Sequence, residues 1–355
     1  MDWFDGGVGG SMEVYGLDDK FGLVTADIPY FNLQWNRKYY EAGDFSIQIS
    51  ADVYDPSWAY IMTHDRPEVG VVQKLQYTNN GGEKLVQLSG FFAEQRLNGI
   101  VASPRFVADL SKTENVIKRM YDTYGVQAKK GIGWKANAQP LGDRTQCDFI
   151  GDLLGEKWYS ILETRELSYR VTALDDFIGL VCQIWQGIDR TQSQDANPWC
   201  VFSSAFGNVE DEEISIDRSA YANVCKVSAK DEALQFEVDL SGGGERYEVF
   251  LDKGSEAPEE DQSEEDFKAA LRQEALEKLA DCVVAQEIDV SNLGDANYLE
   301  DFDLGDKVSV ILDDIGLELE TRIVEVTEVF KPEGHSVQLG FGSKRITNMR
   351  RAMAR

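Results

Sequence analysis

Three aspartates lie close together in the segment DFDLGD, near the end of the sequence. Asp301, Asp303 and Asp306 are residues of the type that binds calcium, because this cation prefers several carboxylate oxygens. Their spacing differs from that of an EF-hand loop, and the apolar residues Phe302 and Leu304 separate them. We therefore predict an acidic turn that binds no metal, with a calcium site as the alternative that calorimetric titration would test.

A second segment with reactive residue types is Asp189-Arg190-Thr191. An adjacent carboxylate and guanidinium could form a catalytic pair or part of a nuclease site. No second cluster of acidic residues and lysines accompanies them, so we predict a structural Asp–Arg ion pair with the threonine at a turn. The same three residue types recur at Asp143-Arg144-Thr145, so the triplet by itself carries little information.

Histidine and cysteine, the usual nucleophile and metal-ligand residues, are few. His64 has no serine or cysteine at a recognisable strained turn nearby, and we predict that it lies in a loop. His335 follows a Pro-Glu-Gly turn and is predicted to be an exposed loop residue. The cysteines form no CxxC pair and are predicted to be reduced thiols; they are Cys147, Cys182, Cys200, Cys225 and Cys282. We therefore predict no catalytic, cofactor-binding or metal-binding residues.

The net charge of the chain limits the classes of partner. A charge of −28 over 355 residues argues against a surface that binds nucleic acid and against docking on an anionic membrane. The longest apolar run is far shorter than the ~20 residues that span a bilayer, so we predict no membrane anchoring. The start of the sequence, MDWFDGG, predicts no signal peptide. The acidity serves solubility or, alternatively, a surface past which DNA moves without adhering.

Positive charge is concentrated in one segment, residues 343–355. We predict that this segment is an arm that docks on an acidic neighbour or on a sister subunit, with a disordered tail as the alternative. Binding of nucleic acid is disfavoured, because so few positive charges belong to a strongly acidic molecule. The candidate interaction residues are Lys344, Arg345, Arg350, Arg351 and Arg355.

The elements that would position these residues are mostly strands. After an arm of residues 1–20, residues 21–105 contain short alternating segments separated by Gly and Asn turns, which predict an antiparallel β-barrel. Helical periodicity begins near residue 106, and residues 106–195 are predicted to form an α/β insertion.

A second β-barrel is predicted over residues 196–342. Within it, two alternating segments around the glycine-rich stretch 241–245 are predicted to pair as a hairpin. Residues 252–284 add an acidic linker and a helix, which Ser263 is expected to cap. The predicted fold class is therefore α+β, with two antiparallel barrels, the insertion between them and the basic tail 343–355.

Several motifs occur in a fixed order along these elements. They are W-x-R-x-Y-x-E-x-G-x-F at residues 35–45, G-x-D-R-T at 187–191, V-F-S at 201–203, Y-x-N-x-x-x-V at 221–227 and DFDLGD followed by RIVEVTEVF at 301–330. This ordered set resembles the phage tail-hub proteins, in particular siphovirus tail proteins of the ReqiPepy type. It is also similar to the hubs of T-even phage baseplates and of phage-tail-like particles. The residues that carry the resemblance in structural roles are Trp35, Gly43, Phe45, Asp189, Arg190, Thr191, Asn223, Asp303, Gly305 and Asp306.

The resemblance implies a structural protein without enzymatic activity or cofactor. Two similar barrels per chain would let a homotrimer imitate a six-fold ring that continues the tail tube. The implied partners are a tail-tube or distal tail protein, a spike, fibre or tip protein, and the tape-measure protein, with DNA only as passing cargo. The implied place is the virion tail tip, after synthesis in the host bacterial cytoplasm. Acidic side chains around the channel would repel the DNA backbone.

Two alternatives belong to other classes of protein. A tail-associated cell-wall hydrolase would need a His/Cys or His/Asp constellation, which the sequence does not display. A receptor-binding module for carbohydrate would expose aromatic side chains on one barrel face, and Trp3, Trp58 and Trp134 are the candidates.

Overall fold

The computed structural model describes residues 12–174, 179–206, 208, 213–217, 219–258, 262–282, 285–290 and 297–342. The basic segment 343–355, with all five of its candidate interaction residues, lies outside these ranges, as do residues 1–11 with Trp3. The described chain is mainly strands with a few helices, which confirms the α+β class. No helix in the described ranges is long and apolar enough to cross a bilayer.

The strands and helices are numbered here in chain order. The strands are β1 Val14–Leu17, β2 Leu23–Thr25, β3 Asn32–Lys38, β4 Asp44–Ser50, β5 Tyr60–Thr63, β6 Gly70–Val71, β7 Lys74–Asn80, β8 Glu83–Phe91, β9 Phe106–Lys112, β10 Ile132–Trp134, β11 Arg144–Phe149, β12 Ser168–Ala173, β13 Leu180–Trp185, β14 Val201–Ser203, β15 Glu213–Asp217, β16 Val224–Ala229, β17 Leu234–Asp239, β18 Glu248–Lys253, β19 Ala285–Val290, β20 Lys307–Leu312, β21 Leu317–Lys331 and β22 Gly334–Gly342. The α-helices are α1 Thr113–Met120, α2 Leu154–Glu163 and α3 Glu264–Ala280.

The largest sheet joins the two segments that were predicted to form barrels. Its eight-strand path runs β15-β19-β22-β21-β3-β4-β8-β7. Outside this path, β20 pairs with β21, and β14 pairs with β20. The central pair is β21 with β3, where Phe330 lies opposite Leu33. Strands from residues 21–105 therefore continue directly into strands from residues 196–342. The pairings of the described residues trace an open path rather than a closed barrel.

One face of this sheet covers a hydrophobic core. Because side chains alternate along a strand, Leu33 and Trp35 of β3 point to the same side as Phe45 and Ile47 of β4, and all four are buried. Residues 14–17 of the predicted arm form β1, which pairs with β2 and β5.

The α/β insertion shares its hydrophobic core with residues of the first predicted barrel segment, among them Tyr60 and Leu97. Strands β10, β13 and β12 form a three-stranded sheet, and β9 pairs with β11. The indole of Trp158 on α2 packs edge-on against Tyr169 of β12, with ring centroids 5.4 Å apart. Ile117 of α1 and Ile161 of α2 are fully buried in the same cluster.

A separate three-stranded sheet corrects one expectation. The segments predicted to form a hairpin are β17 and β18, and they lie on either side of β16 instead of pairing with each other. Strand β16 runs antiparallel to β17 and parallel to β18. Val224, Cys225 and Val227 of this central strand are buried, whereas the outer strand β18 consists of exposed and half-buried residues.

Helix α3 covers this sheet and also contacts the insertion. Its residues Phe267 and Leu271 are buried with Cys225 of β16. Ser263 caps the helix as predicted, since its hydroxyl accepts a hydrogen bond from the Asp266 amide at 3.1 Å. On the other side of the helix, the Glu277 carboxylate lies 2.8 Å from Lys157 Nζ on α2.

Candidate functional site: the junction of the DFDLGD turn and the GxDRT segment

Two of the sequence motifs meet at the start of β20. The backbone of Asp189 bridges to Lys307, and the Arg190 amide donates to the Lys307 carbonyl at 2.8 Å. The Asp306 carboxylate accepts from the Ile188 amide at 2.7 Å and from Arg190 Nε at 2.8 Å. One buried carboxylate therefore ties together two segments that are far apart in sequence.

The partner of Arg190 differs from the prediction. Arg190 pairs with Asp306, whereas Asp189 binds Thr191: its Oδ1 accepts from the Thr191 amide at 3.0 Å and from the hydroxyl at 2.7 Å. Burial raises the pKa of Asp189, but these two hydrogen bonds, with the positive charge of Lys307, outweigh it and lower the pKa. Residue 191 is a bend that leads into a turn at residues 192–193, and the acid and the base on either side of the 189–190 peptide bond have different partners.

Two glycines, Gly187 and Gly305, permit close packing within the junction. Gly305 has a φ of +85°, and an added Cβ would lie 2.5 Å from the Tyr39 ring. Gly187 approaches from the other motif, where an added Cβ would lie 1.9 Å from the Gly305 carbonyl oxygen. Gly187 therefore lets backbone pack against backbone, and Gly305 lets the backbone pack against the Tyr39 ring at a positive φ.

The insertion contributes to the same junction through Glu166. Its carboxylate lies 2.6 Å from Lys307 Nζ and 3.3 Å from Arg322 Nη2, and its carbonyl accepts from the Tyr39 hydroxyl at 3.1 Å. The Arg322 guanidinium lies 5.1 Å from the centroid of the Tyr39 ring. Burial raises the pKa of Tyr39 to about 12, so this hydroxyl stays a hydrogen-bond donor.

A second part of the junction is a buried ionic network around Arg37. Arg37 Nε lies 2.7 Å from Glu68, and Nη1 lies 2.6 Å from Asp303 and also donates to the Tyr298 hydroxyl. Burial alone would lower the pKa of Arg37, but Glu68, Tyr298 and Asp303 outweigh it and raise the pKa. The guanidinium therefore stays charged inside the protein.

The neighbouring pair is Arg66 with Glu328. Arg66 donates to both oxygens of Glu328, at 2.6 and 2.5 Å, and its guanidinium lies 5.3 Å from the Tyr298 ring centroid. Burial raises the pKa of Glu328, but hydrogen bonds from Arg66 and His335 outweigh it, so the pKa is lowered. His335 was predicted to be an exposed loop residue. It is exposed, but it is the second residue of strand β22, and its ring stacks on the ring of Phe330.

These network residues were not singled out as site residues from the sequence, although a signal was present. Arg37 follows Leu33 and Trp35 in the apolar phase of β3, and Glu328 lies between Val326 and Phe330 in the apolar phase of β21. A charged residue in the apolar phase of a strand indicates a buried ion pair, because an unpaired charge there would be very costly.

The other motif residues support the core rather than the junction. Trp35 and Phe45 lie opposite each other on β3 and β4, with ring centroids 5.8 Å apart. Gly43 leaves no room for a side chain, since an added Cβ would lie 2.2 Å from the Asn36 carbonyl oxygen. Asn223 lies in the separate sheet, where its side-chain oxygen accepts from the Tyr247 amide at 2.8 Å.

The arrangement is suited to holding segments together. The Asp303 and Asp306 carboxylates are engaged by the guanidinium groups of Arg37 and Arg190. Among the described residues, no group of three or more His, Cys, Asp or Glu is placed to bind a metal ion. Of the candidate receptor-binding aromatics, Trp58 is buried and donates to Thr25, and Trp134 packs partly buried against Trp158.

Comparison with solved structures identifies the class to which this fold belongs. The chain superposes on a prophage MuSo2 43 kDa tail protein from Shewanella oneidensis with a TM-score of 0.61 and 13% identity, covering 93% of this chain and 98% of that one. A tail protein from Neisseria meningitidis MC58 gives 0.58 and 13%, covering 94% and 97%. Prophage tail protein gp18 from Listeria monocytogenes EGD-e gives 0.57 and 13%, covering 96% and 98%. The fold is thus that of phage tail proteins.

The sequence narrows this class to a family. Residues 133–343 match the Siphovirus ReqiPepy6 Gp37-like protein family, and the chain belongs to that family of siphovirus tail proteins. The resemblance seen in the ordered motifs is thereby confirmed. No curated protein matches the sequence significantly.

Proposed function

We propose that this protein is a structural hub at the tail tip, which assembles as a trimeric ring between the tail tube and a spike or fibre. The observation that carries the proposal is the eight-strand antiparallel path of the largest sheet. In the described residues, β7 pairs only with β8 and β15 pairs only with β19, so each end of the path offers a strand edge. Such edges readily accept a strand from another chain.

The path consists of two halves with the same arrangement. From the centre outwards, one half has the hairpin β3–β4 and then the pair β8–β7, and the other has the hairpin β21–β22 and then the pair β19–β15. Each half contains strands of one segment predicted as a barrel, residues 21–105 or 196–342. Three chains would therefore supply six similar units, which is how a trimer can imitate a six-fold ring.

Edge-to-edge joining of three chains would enclose a channel. A head-to-tail contact, β7 of one chain with β15 of the next, closes into a ring if the rotation allows it. Three eight-strand paths give 24 strands, and at about 4.8 Å per strand the ring has a backbone diameter of about 40 Å. Barrels of roughly 16–18 strands already leave an aqueous channel. A polymer such as DNA or the tape-measure protein is the proposed cargo.

The face of the sheet opposite the hydrophobic core is the proposed channel lining. By register, Gln34, Ser46 and Ser89 lie side by side on that face, as do Thr327 and Gln338. The same registers place Lys38, Asp44 and Glu325 on that face, so the lining proposed here mixes amides and hydroxyls with charges of both signs. The amides and hydroxyls would let phosphates pass with little adhesion, and the carboxylates would add repulsion of the DNA backbone.

The role proposed is structural and without catalysis, and membership of a tail protein family supports it. Light scattering of the purified chain, alone and mixed with the tail-tube protein of the same phage, tests the proposal. We expect a mass of three chains, with three-fold views and a central hole in negative stain. A chain that remains monomeric in the presence of the tube protein would contradict the hub assignment.

A further inference from the structure

An aromatic pocket with acidic walls lies on the surface beside the junction. It has a volume of about 380 Å³ and is lined by residues of the 190–208 segment and of the 297–301 turn. Trp199 and Phe206 expose 55% and 63% of their surface there, and the carboxylates of Glu300 and Asp301 border them. Arg190, Val201 and Asp301 of the sequence motifs line part of the pocket, but neither the contacts of the junction nor the proposed ring explains its two exposed aromatic residues.

The indole of Trp199 is fixed in place although it is exposed. Its Nε1 donates to the Gln194 carbonyl at 2.6 Å. The Gln194 side chain in turn donates to the Thr191 carbonyl at 3.0 Å and accepts from the Asn197 amide at 2.8 Å. A rigid aromatic face that needs no reordering on binding favours a ligand, because the entropic cost of association is smaller.

The charges around the pocket select a cation. An exposed indole attracts ammonium and guanidinium groups through its π face, and the two carboxylates add to that attraction. Arg190 is the one basic residue among those lining the pocket, and its charge is matched by Asp306 at 2.8 Å. The pocket therefore fits an arginine or lysine side chain.

A segment with that chemistry follows the last described strand in sequence. The described chain reaches Gly342, and the Phe341 ring lies 5.5 Å from that of Phe202, next to the pocket residue Val201. The 13 residues from 343 to 355 can span roughly 40 Å when extended, far more than this separation requires. They read SKRITNMRRAMAR, with five basic residues and no acid.

We propose that residues 343–355 dock in this pocket of their own chain, with an arginine or lysine side chain on Trp199 between Glu300 and Asp301. Docking would join the end of β22 to the loop that follows the GxDRT motif. The inference concerns a single chain and does not depend on formation of the ring.

Hydrogen exchange of the full-length protein, followed by mass spectrometry of its C-terminal peptides, tests the proposal. We expect amides within residues 346–355 to exchange at least about tenfold more slowly than in the free synthetic peptide. Trp199→Ala, and Glu300→Gln combined with Asp301→Asn, should each remove this protection. Phe250→Ala is the matched control, because Phe250 is an aromatic of 56% exposure on β18 and should leave the protection unchanged.

Three results would overturn the proposal. Exchange of the wild-type segment at the rate of the free peptide would show that it is not docked. Protection that survives both pocket variants would place it elsewhere. Protection that disappears when the protein is diluted would show that the segment docks in the pocket of a neighbouring chain and not in that of its own chain.

Discussion

The Arg37 guanidinium and the Asp303 carboxylate lie 2.6 Å apart, although 266 positions separate them in sequence. Together with Glu68, Asp303 holds a positive charge inside the protein, between the first strands of the large sheet and the turn that leads into its last strands. The junction is therefore a means of fixing distant segments of the chain against each other, and each of its parts can be tested.

Replacing Arg37 should destabilise the protein strongly. Arg37→Met leaves Glu68 buried without its partner, and we expect the free energy of unfolding to fall by about 3–5 kcal/mol. Urea denaturation measures this. Arg246→Met is the matched control, because Arg246 also has several carboxylate partners but lies on the surface, where such pairs contribute little. Equal effects of the two substitutions would contradict a special role of the buried network.

Glu328 should make the protein less stable at acidic pH. Its pKa is lower in the folded protein than in the unfolded chain, so its contribution is present above the unfolded pKa of about 4.5 and is lost as the pH falls through the folded pKa. The stability difference between wild type and Glu328→Gln should be large at pH 7 and shrink below pH 4.5. A difference that stays constant from pH 3 to pH 7 would rule out this linkage.

Glu94 should have the opposite pH dependence. It is buried, one oxygen accepts from the Val171 amide at 2.8 Å, and the other has no hydrogen-bond partner among the described residues. Burial raises its pKa to about 7, so its contribution is complete below the unfolded value of about 4.5 and is lost as the pH rises through 7. Glu94→Gln should therefore be neutral at pH 5 and stabilise by about 2 kcal/mol at pH 8.

The control for this substitution is Glu114→Gln. Glu114 is also buried, but its carboxylate accepts from both nitrogens of Asn137 and from the Leu141 amide. An amide cannot replace all these acceptors, so Glu114→Gln should destabilise at both pH values. If Glu94→Gln behaved in the same way, the missing partner of Glu94 would not be the cause of the pH dependence.

Gly305 should not tolerate a side chain. In Gly305→Ala the new methyl group would meet the Tyr39 ring in addition to the strain of a positive φ, and we expect a loss of about 2–4 kcal/mol in thermal unfolding. Gly316→Ala is the control for backbone strain alone, since Gly316 has a φ of +63° and open space around it. We expect this substitution to lower the free energy of unfolding by about 1 kcal/mol. Equal losses would show that the contact with Tyr39 is unimportant.

Reversal of charge at the strand edge should weaken the proposed ring. By sequence, β7 contains a lysine, Lys74, and no acid, whereas β15 contains two acids and no base, so we expect the two strands to attract each other in the proposed ring. Lys74→Glu should raise the dissociation constant of the trimer by about tenfold in analytical ultracentrifugation. Lys84→Glu, on the inner strand β8 of the same hairpin, should change it little, and a similar loss in both variants would speak against edge-to-edge assembly.

The sequence by itself determined the class of fold and the family. Alternation of β-branched and apolar residues predicts strands because it is a local property of the chain, and the cap at Ser263 is local for the same reason. The ordered motifs of the hub-like proteins could be recognised for a similar reason: each is a short stretch of neighbouring residues, whether it forms a turn, as DFDLGD does, or a strand, as VFS does.

The tertiary structure alone decided which of these local pieces meet. The partner of Arg190 is Asp306 and not the adjacent Asp189. Strand β18 pairs with β16 and not with β17. Arg37 and Glu328 stood in the apolar phase of their strands, but their partners come from other segments. Such choices depend on how strands are ordered in a sheet, and burial then forces each charge to find an opposite one, wherever in the sequence that charge lies.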